Sequence, residues 1–231
     1  AAASEAFFPF PDGLLTVARL VLNNTEPKPD TERPATASSD DSPIVANTVA
    51  EARPADDEPL EFANGHGGFV DNGRAYRIEL DPAHPTPAPW ANVLANPEFG
   101  CIVTAEGGGY TWSGNSQQNP LTPWPNDPVS DMPHEAIYLR DADDGALWTA
   151  TALPIRANGA RYTTTHGKGW TRFRSEAHGI ELELVQCVPT SDSIKLSRLR
   201  LCNRSDRTRR LTITGYVEWA LGPNGSTPAP F

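Results

Sequence analysis

The 231-residue sequence is poor in basic residues and contains no long apolar run. Lys and Arg number 19 against 29 Asp and Glu, which gives a formal net charge of −10. Nucleic-acid binding requires clustered basic side chains that release counterions from phosphates, so the charge argues against that class of partner. No stretch approaches the roughly 20 apolar residues of a membrane helix, and the N-terminal stretch lacks the pattern of a signal peptide. The sequence therefore predicts a soluble segment that is not exported.

Cysteine and methionine are also scarce. Cys101, Cys187 and Cys202 are widely spaced and form no CxxC pair, which argues against a zinc site or a disulfide framework and favours buried thiols. The only methionine is Met132, and the sequence begins with Ala1. These two facts indicate a fragment or a processed piece of a longer protein.

Composition divides the sequence into segments. Residues 1–25 contain one short apolar run, which predicts a segment that docks on another surface. Residues 26–58 are rich in Pro, Ala, Ser, Thr and acidic residues and have scarcely an aromatic, which is the composition of a disordered linker. The rest, from residue 59 to about 224, has the texture of a folded domain.

That region alternates apolar and polar residues in short segments separated by Gly, Asp and Asn turns. The pattern predicts a strand at 75–80, a second strand within 100–112 that the glycines 107–109 interrupt, and a hairpin around Asp143–Asp144–Gly145. It also predicts two or three strands within 161–189 and a last hairpin across 203–209. It shows no helical window of four turns. The prediction is an all-β fold, an antiparallel β-sandwich with long loops at 81–97 and 107–134.

The second loop carries the run "GGGYTWSGNSQQNPLTPWPNDPVSD", residues 107–131. Indole faces can stack on the C–H face of a sugar ring, while amides, hydroxyls and acids can pair with its hydroxyl groups. An equally simple interpretation is that the aromatic and amide groups only hold the loop on the sandwich. The candidate saccharide-binding residues are Trp112, Asn115, Gln117, Gln118, Asn119, Thr122, Trp124, Asn126 and Asp127.

Other chemistry-bearing groups are explained more simply by turns. Asp141, Asp143 and Asp144 suit calcium in kind, but they sit at a hairpin tip without the following Glu of an EF-hand. Asp127, Asp131 and Glu135 are close enough in sequence to be considered as a glycosidase carboxyl pair, although Asp and Glu beside prolines commonly cap turns. The residues therefore predict no catalytic group and no metal ligand.

Several motifs occur in order along the chain: "NGHGGF", "PWANVLANPEFG", "GGGYTWSGNSQQNPLTPWPNDPVSD" and "YVEWALGPN". Over about 59–224 the sequence resembles the supersandwich-type β-sandwich domain of the inverting β-glucoside phosphorylases related to cellobiose phosphorylase. Within that family it is most similar to the phosphorylase-like C-terminal part of cyclic β-1,2-glucan synthases. The resemblance implies that 225–231 begins a linker to a C-terminal (α/α)6 barrel.

In that family, the resemblance implies, the barrel holds the general acid and the inorganic phosphate, so this chain alone should be inactive and needs no cofactor. The stretch from Trp112 to Asp127 would reach over the barrel and close the acceptor side of a β-glucan site. Implied partners are a β-glucan, the barrel and a second copy in a homodimer. The implied location is the cytoplasm, with attachment of the parent to the inner membrane left open. An autonomous β-glucan-binding module and a purely structural packing domain remain as alternatives.

Overall fold

The computed structural model describes the backbone of residues 3–7 and 16–22, and residues 58–83, 85–124, 127 and 129–220 in full. These residues form fourteen strands and no helix, and every paired strand is antiparallel. The all-β antiparallel prediction is therefore confirmed. The strands are β1 (Ala3–Phe7), β2 (Thr16–Leu22), β3 (Gly67–Val70), β4 (Ala75–Leu80), β5 (Ala91–Ala95), β6 (Phe99–Thr104), β7 (Gly109–Ser113), β8 (Glu135–Asp141), β9 (Leu147–Thr149), β10 (Arg161–Gly167), β11 (Trp170–Ala177), β12 (Ile180–Cys187), β13 (Leu196–Asn203) and β14 (Arg209–Val217).

The strands form three sheets. The largest has seven strands in the order β1-β13-β12-β11-β10-β4-β3, and the others have the orders β2-β14-β8-β9 and β5-β6-β7. The predicted docking segment, 1–25, supplies β1 and β2, which pair with β13 and β14. The predicted linker, 26–58, lies outside the described residues except for Glu58, and 225–231 lies outside them entirely.

The main core lies where the three sheets meet. Leu139 and Trp148 of the β8–β9 hairpin, Leu182 of β12 and Cys101 of β6 all belong to one buried cluster. Ile180, Leu182 and Leu184 are two residues apart along β12, so they share one face of the strand, and all three belong to this cluster. None of the three cysteines is in a disulfide, and burial raises the pKa of Cys101 to about 11, so this group remains a protonated thiol.

The predicted hairpin across 203–209 is wrong. The last hairpin does not form, because β13 and β14 belong to different sheets and the turn between them crosses from one sheet to the other. Buried Arg209, at the start of β14, binds Asp141 at the end of β8, which places β14 beside β8. A turn signal specifies a change of chain direction, but not which strand becomes the hydrogen-bonding partner.

The loops are also shorter than predicted. β5 lies inside the predicted loop 81–97, and β7 lies inside 107–134. The glycines 107–109 do not interrupt one strand, because Gly107 and Gly108 lie in the turn between β6 and β7 and Gly109 begins β7, which pairs with β6. The resulting three-stranded sheet carries the long polar loop at the end of β7. None of the described residues belongs to a helix that could span a membrane.

Candidate functional site

Three aromatic rings stand in a row on the outward face of the three-stranded sheet. Tyr110 and Trp112 are two residues apart on β7, so their side chains project to the same face. The ring centroids of Tyr110 and Trp112 are 5.2 Å apart, and those of Tyr110 and Trp124 are 5.0 Å apart. Both spacings suit attractive contact between aromatic rings. Tyr110 is buried between the indoles, whereas Trp124 keeps 40% of its surface exposed.

Trp112 serves the fold as well as the surface. A Cβ at Gly100, its cross-strand partner on β6, would overlap the indole of Trp112 and come within 2.8 Å of Ala95 Cβ. Only glycine fits at position 100 without a shift, because the indole of Trp112 occupies the space that a side chain would need. Trp112 is half-buried, and one part of its ring is committed to packing on the sheet. Trp124 is thus the indole that offers more free surface.

The polar residues of the loop divide into two groups. Asn115 Oδ1 accepts hydrogen bonds from the backbone N–H groups of Gln117 and Gln118, both at 2.9 Å, and Asn119 Nδ2 donates to the carbonyl of Ser113 at 3.1 Å. These two asparagines hold the loop backbone in place, as the structural interpretation requires. The side chains of Gln117 and Gln118 are exposed to solvent.

Thr122 is not a surface residue, so its predicted contact with a ligand is not supported by its position. It is 1% exposed, and its hydroxyl accepts from the N–H of Thr111 at 2.8 Å and donates to Glu135 Oε1 at 2.9 Å. Both hydrogen-bonding functions of this hydroxyl are therefore used within the protein. Sequence reasoning did not predict this, because the contacts depend on how the loop folds back between β7 and β8.

The last two predicted residues end the loop. Asp127 accepts from the N–H of Val129 at 2.9 Å and from the hydroxyl of Ser130 at 2.5 Å, and these bonds lower its pKa. Asp127 therefore caps a turn, although its side chain is exposed. Asn126 lies outside the described residues.

A groove of about 240 Å³ runs beside Trp124 and is called the Trp124 groove here. Its floor includes Ile102 and Gly109 of the sheet, and its walls include Met132 and Asp131. Asp131 Oδ2 accepts a hydrogen bond from the Thr104 hydroxyl at 2.6 Å. Burial raises the pKa of Asp131 to about 6, with the Thr104 hydrogen bond opposing the rise and the charge of Glu106 adding to it. This carboxyl group can therefore donate or accept a hydrogen bond near neutral pH.

Glu135 is held differently from Asp131. Its Oε1 accepts from the hydroxyls of Thr111 at 2.6 Å and Thr122 at 2.9 Å, and its Oε2 accepts from Lys195 Nζ at 2.7 Å. Burial alone would raise the pKa of Glu135, but Lys195 and the hydroxyls outweigh it and lower the pKa. The opposite charge likewise raises the pKa of Lys195 against the effect of burial. Glu135 is thus a neutralised structural carboxylate, and the geometry does not support the considered pairing with Asp131.

The aspartates of the β8–β9 turn are neutralised by arginines. Arg209 binds Asp141, Arg210 binds Asp143, and Arg207 lies 3.4 Å from Asp144. Within the part of the chain that the structure describes, no three His, Cys, Asp or Glu side chains gather in a way that could hold a metal ion.

Comparison with known proteins identifies the family. The family model described as "Glycosyl hydrolase 94, supersandwich domain" matches residues 74–229, which is more than half of the chain. The chain belongs to the glycosyl hydrolase 94 supersandwich family.

The proteins related to this supersandwich domain are much longer than the chain. The chain is 44% identical over 185 residues to cyclic beta-(1,2)-glucan synthase NdvB of Rhizobium meliloti (strain 1021), an alignment that covers 79% of the chain and 6% of the synthase. It is 29% identical over 158 residues to N,N'-diacetylchitobiose phosphorylase of Vibrio furnissii, covering 68% of the chain and 19% of that enzyme. It is 28% identical over 159 residues to solabiose phosphorylase of Paenibacillus borealis, covering 68% and 20%. The chain thus spans a fifth or less of each relative.

Sequence reasoning missed two residues of the Trp124 groove, Asp131 and Met132, and also Tyr110, whose ring lies between the two indoles. Tyr110 could have been found from its two-residue spacing to Trp112, which predicts a shared strand face. Asp131 was considered only as half of a carboxyl pair, and Met132 lines the groove with 52% of its surface exposed. Nothing in the local sequence indicates that the loop folds back over Ile102 and Gly109 to form a groove.

Proposed function

We propose that this supersandwich domain is a non-catalytic carbohydrate-binding module of a cyclic β-1,2-glucan synthase or a β-glucan phosphorylase. Its loop from Trp112 to Asp127 completes the glucan acceptor site of a barrel region that lies C-terminal in the parent protein. The observation that carries the proposal is Trp124, an indole 40% exposed beside a groove with an ionisable carboxyl group. The names of the relatives, a glucan synthase and two disaccharide phosphorylases, support the class of ligand.

The groove matches the chemistry of a glucan. The indole of Trp124 supplies an apolar face for the C–H side of a sugar ring, and Asp131 supplies a hydrogen-bonding group for a hydroxyl at the same groove. Gln117 and Gln118, on the same loop, have exposed amides that offer further donors and acceptors for sugar hydroxyl groups. Trp112 and the two asparagines act chiefly by holding the loop in this position.

Catalysis is assigned to the barrel region, which would also bind inorganic phosphate. The proposed partners are a β-glucan, the barrel and a second copy of the parent in a homodimer. The proposed location is the cytoplasm.

A purely structural packing domain is the second candidate, and the bonds of Asn115, Asn119 and Thr122 to the protein itself favour it. The intact parent enzyme separates the two functions. With Trp124→Ala, losing about 1.5 kcal/mol of apolar contact should raise the acceptor KM about tenfold while the enzyme remains folded. Leu147→Ala, which truncates another exposed apolar side chain on β9, serves as the control. An unchanged KM in Trp124→Ala would leave only the structural role.

An autonomous glucan-binding module is tested with the isolated chain. Calorimetric titration with β-1,2-gluco-oligosaccharides should show at most weak binding if the barrel forms the other half of the site. Binding tighter than millimolar would favour the autonomous module.

A further inference from the structure

A second cavity lies on the opposite side of β7 from the Trp124 groove. It has a volume of about 240 Å³ and is called the Glu135 cavity here. Thr111 faces it, whereas Tyr110 and Trp112, the neighbours of Thr111 on β7, project to the opposite face of the strand. The two spaces share only Ile102 and Gly109 of the hairpin that separates them. The cavity is therefore a separate site, and nothing in the proposed function uses it.

The base of the cavity carries a charged pair in contact with the open space. The side chains of Glu135 and Lys195 keep 21% and 15% of their surface accessible, although both are surrounded by protein, because they line the cavity. Gln186 and Ser197 add an amide and a hydroxyl that share a hydrogen bond of 3.2 Å. Donors and acceptors thus lie side by side at one end of the space.

The remaining wall is apolar and partly aromatic. It includes Phe99, Leu184, Ile194 and the rings of Tyr216 and Trp219. Among the described residues, no group accepts a hydrogen bond from the buried Nε1 of Trp219. A buried indole N–H usually has a partner. That nitrogen has almost no accessible surface, so an occupant of the open space would meet the aromatic faces of this wall, which water solvates poorly.

These features define the chemistry of an occupant. Glu135 and Lys195 neutralise each other, so a charged ligand would be left uncompensated in a mostly apolar space. A neutral ligand with adjacent hydroxyl groups can donate to the carboxylate, accept from the ammonium, and place its C–H face against the rings. The volume is below the ~300–1,000 Å³ of pockets for drug-sized ligands, which limits the occupant to about one sugar ring.

We propose that the Glu135 cavity binds one neutral, hydroxyl-rich ring of monosaccharide size, with Glu135 and Lys195 recognising adjacent hydroxyls and the rings of Tyr216 and Trp219 lying against its C–H face. Water alone suits the charged end of the cavity but finds few partners along the apolar wall. Since Glu135 also binds Thr111 and Thr122, the occupant would contact the same carboxylate that fixes the start and the middle of the saccharide-binding loop.

The test is equilibrium binding of D-glucose to the full 231-residue chain. We expect one site with millimolar affinity. Ile194→Trp, which fills the mouth of the cavity at a residue 39% exposed, should weaken binding at least tenfold. Leu147→Trp adds the same ring at a distant exposed position and should leave binding unchanged.

Three results would overturn the inference: no saturable binding of glucose, unchanged binding in Ile194→Trp, or tighter binding of cyclohexanol than of glucose. Glucose binding that is lost in Trp124→Ala but kept in Ile194→Trp would place the sugar in the Trp124 groove. That result would support the proposed function and contradict this inference, so the two fail separately.

Discussion

Replacement of Lys195 by methionine tests the central electrostatic feature of the domain. Lys195 Nζ lies 2.7 Å from Glu135 Oε2, and the same carboxylate accepts hydrogen bonds from Thr111 and Thr122. Methionine fills a similar volume without charge. In Lys195→Met the carboxylate would keep its two hydroxyl donors but lose its counter-charge, so it would be buried and uncompensated.

The cost follows from the burial of the pair. Removing one partner of a buried ion pair destabilises a protein by about 3–5 kcal/mol. We expect a value near the lower end, about 3 kcal/mol, because the cavity gives Glu135 some contact with solvent. With a urea m-value of about 2 kcal/mol/M, the unfolding midpoint should fall by about 1.5 M.

The pH dependence should reverse in this variant. In the native domain the pKa of Glu135 is lowered, so its stabilising contribution is present above the pKa of the unfolded chain and is lost on acidification. In Lys195→Met only the two hydroxyl bonds oppose burial, so we expect the pKa of Glu135 to rise; lowering the pH then protonates the folded state preferentially and reduces the loss of stability. Glu135→Gln combined with Lys195→Met should cost less than Lys195→Met alone.

Urea unfolding followed by tryptophan fluorescence measures these changes. The matched control is Arg74→Met, because Arg74 pairs with Asp71 at 2.7 Å but its side chain is 65% exposed. An exposed pair contributes about 0–1 kcal/mol. A loss of stability in Lys195→Met no larger than in Arg74→Met would refute the reasoning.

Three further predictions concern pH and packing. Burial lowers the pKa of His166 from 6.5 to about 4. The contribution of the neutral imidazole to stability is therefore complete above pH 6.5 and falls by up to about 3 kcal/mol toward pH 4. His166→Gln should abolish this acid loss in urea unfolding at several pH values, and an unchanged slope of stability against pH would contradict the prediction. The pH dependence of Asp131 has the opposite sign, because its raised pKa makes the folded state gain stability as the pH falls from 6 to 4. Asp131→Asn should remove that gain in the same assay, and a gain that persists would exclude Asp131 as its source. Gly100→Ala should lower the free energy of unfolding by about 1–3 kcal/mol, because the added methyl group displaces the indole of Trp112. The control Val93→Ala changes an exposed side chain and should leave the melting temperature unchanged. A Gly100→Ala melting temperature equal to that of the unmodified chain would show that the indole is free to move.

The strands that were predicted correctly are those whose partners are local. β8 and β9 pair across Asp143–Asp144–Gly145, and β10, β11 and β12 follow one another in adjacent hairpins. For such strands, alternation and turn residues contain the necessary information. The failed hairpin across 203–209 shows the limit, because long-range contacts between Arg209 and Asp141 decide which sheet β14 joins.

The candidate site divides in the same way. The sequence alone determined the all-β class, the family resemblance and the stretch that contains Trp112, Trp124 and the amides, because these follow from residue type and spacing. Only the tertiary structure decided which of these groups are free: Thr122 is buried on Glu135, Trp112 rests on Gly100, and Trp124 borders a groove with Asp131. The physical reason is that exposure and pKa depend on how the loop and the strands beside it fold against one another in three dimensions, and residue type and spacing alone do not specify those contacts.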